Sequence, residues 1–291
     1  MPTGWALAAA INQGLLTGAA FLAMGSALFG LWVRSPPAAQ GLIRAVGRRA
    51  SVLATVSYLA ALGLVGASLM DAGLFDPRTW AFGLRTTLSD SAAFGAPAML
   101  ILLFGFLRPD LIASRRRQRL MILIGVTLGV ASFLVTGHAV VAAPRWISAP
   151  AYTLHILGVA FWLGALAPLA RTLKVLPPAE AWRVVAQFSA VAIYAVGAIV
   201  ASGLVMTALH MGSWDALVGS DYGLRLFAKV VLAALLIAMA GYNKVVLTPA
   251  LAAGDAAASR RLRLSIAAEF ALLILILGAA VALSLAPPPE T

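Results

Sequence analysis

The sequence contains no cysteine, and only 11% of its 291 residues are charged. The missing cysteine excludes disulfide bonds and thiolate metal sites, so a metal site would have to use histidine, methionine, carboxylate, backbone or water ligands. Soluble domains average about 25% charged and about 45–50% apolar residues, whereas 62% of this chain is hydrophobic. No soluble core of this length could hide so much apolar surface, and the composition therefore predicts a protein surrounded by lipid.

Several motifs of known chemistry are missing as well. No phosphate-binding loop of the Walker type occurs, which excludes an ATP-driven pump within these residues. The zincin motif HExxH and the nucleophile elbow GxSxG are both absent, and no nucleic-acid-binding module is recognisable. We therefore expect a protein that is not an enzyme and has no nucleic-acid partner.

Long apolar stretches are what the sequence has in abundance. A hydrocarbon core about 30 Å thick requires about 20 apolar residues of helix. Eight such stretches lie at roughly 12–33, 51–70, 88–107, 120–142, 151–171, 184–210, 224–246 and 264–286. They predict an all-α, polytopic membrane protein, a bundle of about eight transmembrane helices whose sixth span is long enough to tilt or to project from the membrane.

The 21 lysines and arginines are distributed unevenly among the loops. The loops after the first, third, fifth and seventh spans carry 16 of them, the other loops carry four, and Lys229 lies inside the seventh span. Lysine and arginine accumulate in loops that stay on the cytoplasmic side of a membrane. The alternation therefore predicts that both termini lie on the outer, periplasmic side, and it accounts for the net charge of +11 without nucleic acid.

Three histidines occur, and all three are predicted near the outer ends of spans. His138 belongs to the fourth span, His155 to the fifth and His210 to the sixth. Coordinating groups at membrane depth are costly, face the bundle interior and often mark ion paths, and imidazole is the commonest ligand for copper, zinc and haem iron. We therefore predict a metal site among these three histidines. The alternative is that each is an interfacial residue hydrogen-bonded to a backbone carbonyl.

Two further side chains are candidates for the surroundings of this site. Met206 lies four residues before His210 and shares its helix face, and a thioether sulfur suits Cu(I), although methionine is also ordinary core filler. Trp162 lies seven residues after His155, on nearly the same face and two turns deeper. It could form an apolar floor beneath a metal, or it could simply be packed or interfacial.

Polar residues elsewhere in the spans are expected to have structural partners. Asp90 and Lys229 have matching depths near the outer side, which predicts an ion pair between them. Glu269 enters the eighth span from the cytoplasmic side. Its depth places it closer to residues 242–244 than to Lys229, so we do not expect those two to pair.

The motifs of the second half of the chain resemble those of a known family. They are Thr136-Gly137-His138-Ala139, Leu154–Gly158, Phe161–Leu169, Phe188-Ser189, Ser202-Gly203-Leu204, Asp221-Tyr222-Gly223-Leu224 leading to Lys229, Asn243-Lys244 followed by Pro249, and Glu269. Over about residues 130–275 they resemble the CopD/PcoD family of bacterial copper-resistance membrane proteins. The chain then divides into residues 1–120, with the first three transmembrane helices, and residues 121–291, a CopD-like core of helices four to eight.

This resemblance implies a copper-handling, multi-pass protein of the bacterial inner (cytoplasmic) membrane. It implies copper movement across the lipid bilayer, as Cu(I) or Cu(II), and a periplasmic copper-binding partner of the CopC type. It makes His138, His155 and His210 the candidate copper ligands. It also makes Tyr222, Lys229 and Glu269 polar positions of the family type without a settled role.

Two other functions stay open at this point. A haem b-binding membrane protein would use His138 and His155 as axial ligands on facing helices. A metal-free structural or assembly protein would need none of the histidines. Three histidines at one end of the bundle fit a small metal site better than they fit a haem.

Overall fold

The computed structural model describes residues 4–107, 114–137, 143–210 and 221–284, apart from the side chains of His210, Asp221, Tyr222 and Ser284. Helices dominate this part of the chain, and it contains no strand. In order they are α1 (Gly4–Trp32), α2 (Pro37–Met70), α3 (Pro77–Gly83), α4 (Thr87–Leu107), α5 (Arg115–Leu134), α6 (Arg145–Val175), α7 (Pro178–His210), α8 (Asp221–Tyr242), a π-helical turn (Asn243–Leu247), α9 (Thr248–Ala252) and α10 (Ala256–Ser284).

Within the described residues, eight stretches of helix are long and apolar enough to span a membrane. They are α1, α2, α4, α5, α6, α7, the run from α8 through α9, and α10. Each overlaps one of the predicted apolar stretches, although α5 ends at Leu134, short of the predicted residue 142, and residues 138–142 lie outside the described part of the chain. The prediction of an all-α polytopic bundle is confirmed. The 33 residues of α7 make it the long sixth span that the sequence predicted.

Some helices extend beyond the apolar stretches that predicted them. α2 begins at Pro37, well before the predicted residue 51, and its first turns carry Arg44 and Arg48. Pro36 has an extended backbone, and Pro37 occupies the first turn, where a missing N–H costs no helical hydrogen bond. The helix therefore starts where the proline pair allows it to, although the surrounding residues are polar.

The seventh span is interrupted where hydropathy predicts a continuous helix. Pro249 has no N–H to donate to the preceding turn, and the backbone widens into the π-helical turn just before it. The Thr248 N–H bonds to the Asn243 carbonyl, and the Thr248 hydroxyl donates to the same oxygen at 2.8 Å. Asn243, at the start of this turn, is thereby turned into the bundle interior, where it is buried.

The tightest packing joins α1 to α6. A Cβ atom on Gly25 would lie 1.7 Å from the Ala160 carbonyl oxygen, and one on Gly164 would lie 2.2 Å from the Gly25 carbonyl carbon. Only glycine at both positions allows this backbone approach, which is a common way for helices to associate in lipid. α1 also packs against α2, α5 and α10, so it lies in the middle of the bundle.

Hydrogen bonds between neighbouring helices reinforce the core. Tyr58 of α2 lies 2.6 Å from the Ser132 hydroxyl of α5. Because Ser132 donates to the Gly129 carbonyl at 2.7 Å, the tyrosine is the donor of the pair. Asn12 of α1 donates to the Ser57 carbonyl at 3.0 Å. These polar groups are buried and would be costly in lipid without such partners.

One end of the bundle carries a cleft rich in arginine. Arg34, Arg44, Arg115 and Arg119 line it between the ends of α1, α2, α4 and α5, in a volume of about 970 Å³. The loops predicted to be cytoplasmic after the first and third spans thus meet at the same end. We call the end of the bundle that carries this cleft the arginine-rich end. α3 and the start of α6 lie at the opposite end.

Candidate functional site

His155 lies on α6, ten residues after its start and in the half of the bundle away from the arginine-rich end. Its Nδ1 is 3.3 Å from the Ile199 carbonyl oxygen and 3.2 Å from the Ser202 hydroxyl oxygen, both on α7. A carbonyl can only accept, so Nδ1 carries the proton and donates to it. The ring is held in one orientation, and Nε2 keeps the lone pair that a metal ion requires.

Met206 extends this polar site towards the same end of the molecule. It lies one turn beyond Ser202 on α7 and is half-buried. Residues four apart share a helix face, so Met206 is on the face of α7 that contacts His155. This placement keeps its thioether among the candidate ligands.

The side chains of the other predicted ligands lie outside the described part of the chain. His138 lies outside the described residues, and so do the side chains of His210 and Tyr222. Among the side chains that are described, no three histidine or acidic groups gather in a way that could hold a metal ion. Convergence of the three histidines stays a prediction.

The predicted ion pair between Asp90 and Lys229 is wrong. Asp90 is exposed on α4, which packs against α2 and α5, whereas α8 packs against α10. Neither residue forms an ion pair with any residue that the structure describes. Matching depth does not make two residues neighbours, because it says nothing about the lateral order of the helices.

A second polar site lies deeper, in the half nearer to the arginine-rich end. The Trp162 indole Nε1 donates to Glu269 Oε2 at 3.0 Å, and the Asn243 amide Nδ2 donates to Glu269 Oε1 at 2.5 Å. Only 5% of Trp162, 8% of Asn243 and 4% of Glu269 is exposed. The prediction that Glu269 lies near residues 242–244 is confirmed.

The bond between Trp162 and Glu269 was not predicted. Sequence reasoning offered Trp162 as a floor beneath a metal or as a packed side chain, and it gave Glu269 no partner on α6. The sequence did contain a signal for this bond, because the N–H of a buried indole usually donates to an acceptor. A carboxylate at matching depth was a candidate, but 107 residues separate the two in the chain.

A cavity of about 200 Å³ adjoins this deeper site. It lies between the α6–α7 pair and the α8–α10 pair, and Trp162, Asn243, Lys244 and Glu269 line it together with apolar side chains. The Asn243 Oδ1 is buried and accepts no hydrogen bond from any described residue. The structure thus holds a carboxyl group and a vacant acceptor beside an internal space.

Comparison with known proteins supports the prediction that this chain resembles membrane proteins that handle copper. Residues 182–283 match the family model of copper resistance protein D. The copper transport protein CutJ of Bacillus subtilis (strain 168) is 28% identical over 221 residues, which cover 71% of this chain and 39% of CutJ.

The chain thus spans about two fifths of the length of that curated relative. No solved structure matches the chain. The family match covers most of α7 and all of α8 and α9, and nearly all of α10, including Lys229, Asn243 and Glu269. The predicted resemblance to the copper resistance protein D family is therefore confirmed, with residues 182–283 as the part that matches.

Proposed function

We propose that this protein is a copper-handling membrane protein that receives copper at its outer face and transports or delivers it across the bilayer. The match to copper resistance protein D and the similarity to CutJ support copper as the cargo. The observation that carries the proposal is the orientation of His155. Its Nδ1 bonds to Ile199 and Ser202 while Nε2 keeps its lone pair, as in a metal-binding imidazole.

Copper would meet a ligand that is already in position. The imidazole of His155 supplies a nitrogen, Met206 supplies a thioether one turn from Ser202, and His138 and His210 are the predicted additional ligands. Imidazole and thioether together suit Cu(I), and imidazole alone suits either oxidation state. A preoriented ring lowers the entropic cost of binding the ion.

The surroundings favour transient binding over storage. A transport site has to bind strongly enough to capture the ion and weakly enough to release it. α7 and α8 bury few of their residues, so fewer contacts resist their movement than resist movement of α1 or α6.

The positive-inside rule predicts which side of the membrane His155 faces. His155 lies in the half away from the arginine-rich end, so the rule places it towards the periplasm of the inner membrane, with both chain termini outside. A soluble copper-binding protein of the CopC type would then deliver copper to this face.

The test is metal binding by the purified protein in detergent, measured for Cu(I) against a competing chromophoric chelator. His155→Ala is expected to lower the affinity at least tenfold, because it removes the preoriented nitrogen. Leu154→Ala changes an exposed neighbour on the same helix and is the matched control. Unchanged affinity in the triple variant of His138, His155 and His210 would contradict the proposed site.

A visible absorption spectrum of the same sample distinguishes the haem alternative. The proposal expects copper in the loaded protein and no Soret band. Iron with a Soret band would make the protein a haem b carrier, with His138 and His155 as candidate axial ligands. Failure to bind copper or haem would favour the structural role that the sequence left open.

A further inference from the structure

Glu269 is a buried acid without a cationic partner. It forms no ion pair with any described residue, and its two oxygens accept hydrogen bonds from neutral donors only. An ionised carboxylate away from water is costly unless it is paired, and a carboxyl group in that position tends to take up a proton instead. The surroundings of Glu269 are therefore suited to a group that alternates between the two forms.

The two hydrogen-bond partners of Glu269 differ in a way that suits both protonation states. The indole of Trp162 can only donate, so it holds Oε2 whether or not the acid is protonated. The amide of Asn243 carries both a donor and an acceptor. Its NH2 group now faces Oε1, and its Oδ1 has no partner. A half-turn of the amide would present Oδ1 to the O–H of a protonated carboxyl group.

The adjoining cavity gives this acid room for water. A water molecule occupies about 30 Å³ in the liquid, and the cavity measures about 200 Å³. Lys244 lies on its wall next to Asn243, close to the arginine-rich end, while Val196 bounds it three residues before Ile199. The cavity thus begins in the half of the bundle that the charge distribution predicts to be cytoplasmic. It ends within one helical turn of Ile199, whose carbonyl accepts the hydrogen bond from His155.

Few other charged groups occur on the elements around this carboxyl group. Lys244 is the second charged residue of the cavity wall. On α6 the ionisable residues nearest to Trp162 in sequence are His155 and Arg171. On α7 Arg183 precedes the cavity-lining residues, and the exposed Tyr194 lies among them in sequence. On α8 the exposed Tyr242 adjoins Asn243 and Lys229 lies further away, and on α10 the nearest charged residue to Glu269 in sequence is Arg263. α1 and α9 contribute no ionisable side chain. The acidic residues on these helices other than Glu269 are at the helix starts, Glu180 on α7 and Asp221 on α8.

We propose that Glu269 is a proton-binding site that exchanges protons with the arginine-rich side of the membrane through the cavity. Asn243 and Trp162 act as its positioning residues. The proton moves from the carboxyl oxygen Oε1 to water in the cavity, which leaves the carboxylate with both of its present donors. No bond between heavy atoms changes in this step.

The link between this proton and copper rests on the proposed function. Copper at His155 adds positive charge to a low-dielectric bundle, and this charge favours the negative carboxylate of Glu269 over its neutral, protonated form. Occupation of the outer site therefore favours the deprotonated acid. Copper binding in the outer half then releases a proton towards the arginine-rich side, and proton return accompanies copper release.

Infrared spectroscopy tests the proton site without copper. The carbonyl stretch of a protonated carboxylic acid is resolved from other bands, and deuterium shifts it. Wild-type protein is expected to show such a band that titrates with pH, and Glu269→Gln is expected to lack it. Glu180→Gln changes an exposed glutamate at the start of α7 and is expected to keep the band. A band that persists in Glu269→Gln, or none in the wild type at any pH, overturns the proposal.

Trp162→Phe keeps the carboxyl group and covers the case in which Glu269→Gln does not fold. Loss of the indole donor from Oε2 is expected to shift the frequency of the titrating band while the band itself remains. A band of unchanged frequency in this variant would show that the titrating acid is another residue, and the assignment to Glu269 would fail.

A second measurement addresses the link to copper. Cu(I) is added to weakly buffered wild-type protein in the presence of a pH-sensitive dye, and proton release is expected in the wild type and in Glu180→Gln but not in Glu269→Gln. Copper binding without proton release overturns the link while the infrared band upholds the proton site. Absence of copper binding overturns the proposed function, and the infrared result still decides the proton site by itself.

Discussion

The two acceptors that hold the His155 ring are unequal. The Ile199 carbonyl belongs to the backbone and stays in any variant, whereas the Ser202 hydroxyl can be removed. Groups that orient a metal ligand are commonly worth about tenfold to a hundredfold in affinity. Because one acceptor remains, the contribution of Ser202 should lie at the lower end of that range.

We therefore expect Ser202→Ala to weaken Cu(I) binding by about tenfold, less than His155→Ala does. The chelator competition used for His155 measures this difference. Thr207→Ala is the control, because both hydroxyls donate to carbonyls of the same helix and Thr207 makes no bond to His155. Equal affinities in Ser202→Ala and Thr207→Ala would show that the Ile199 carbonyl orients the ring alone.

For single residues, the sequence predicts how deep each lies in the membrane but not which residues of other helices it contacts. Each residue of a helix advances the chain by about 1.5 Å, so position in a span fixes depth to within a turn. This suffices for Glu269 and Asn243, because they lie on consecutive antiparallel spans that pack together. It fails for Asp90 and Lys229, whose helices lie on different sides of the bundle.

Among the elements, the sequence predicts which segments cross the membrane and misses their ends and irregularities. Hydropathy responds to apolar content, so it found all eight spans. It could not find the polar start of α2 or the π-helical turn, since both depend on backbone geometry set by prolines. That turn points Asn243 at Glu269, so the deeper site depends on a feature that hydropathy does not register.

The contact between α1 and α6 tests the packing of these elements. Gly25→Ala places a methyl group against the Ala160 carbonyl, where the obstacle is backbone and cannot rotate away. The helices must separate, and overpacking of this kind typically costs about 1–3 kcal/mol. Thermal unfolding in detergent is expected to show a lower midpoint for this variant.

Gly14→Ala is the matched control for this prediction. It makes the same substitution in the same helix at a position with nothing within 4 Å of the added Cβ. Alanine is a better helix former than glycine by about 1 kcal/mol, so Gly14→Ala is expected to leave the midpoint unchanged or raise it. Equal midpoints for the two variants would contradict the close packing of α1 against α6.

At the scale of the whole molecule, the two proposed sites lie in different halves of the bundle. The half away from the arginine-rich end holds His155 and Met206, which are soft or borderline ligands suited to copper. The other half holds Glu269 and the cavity, which are suited to a proton. α6 joins the two sites, because His155 and Trp162 are about 10 Å apart along its axis at 1.5 Å per residue.

The direction of these two sites in the membrane rests on the distribution of charge. The loops that meet at the arginine-rich end should stay in the cytoplasm, because basic residues near short loops resist translocation. The natural absence of cysteine allows a direct test, since any single introduced cysteine is the only thiol in the chain. Ala38 at the arginine-rich end and Phe75 at the opposite end are both exposed positions for it.

We expect Phe75→Cys to react with a membrane-impermeant maleimide in intact spheroplasts. Ala38→Cys should react only after the membrane is opened, and a denatured sample of each variant provides the control for total thiol. The reverse pattern would place His155 and its neighbours towards the cytoplasm. Copper would then enter its site from inside the cell, and the same site chemistry would serve export, with Glu269 exchanging its proton with the outside.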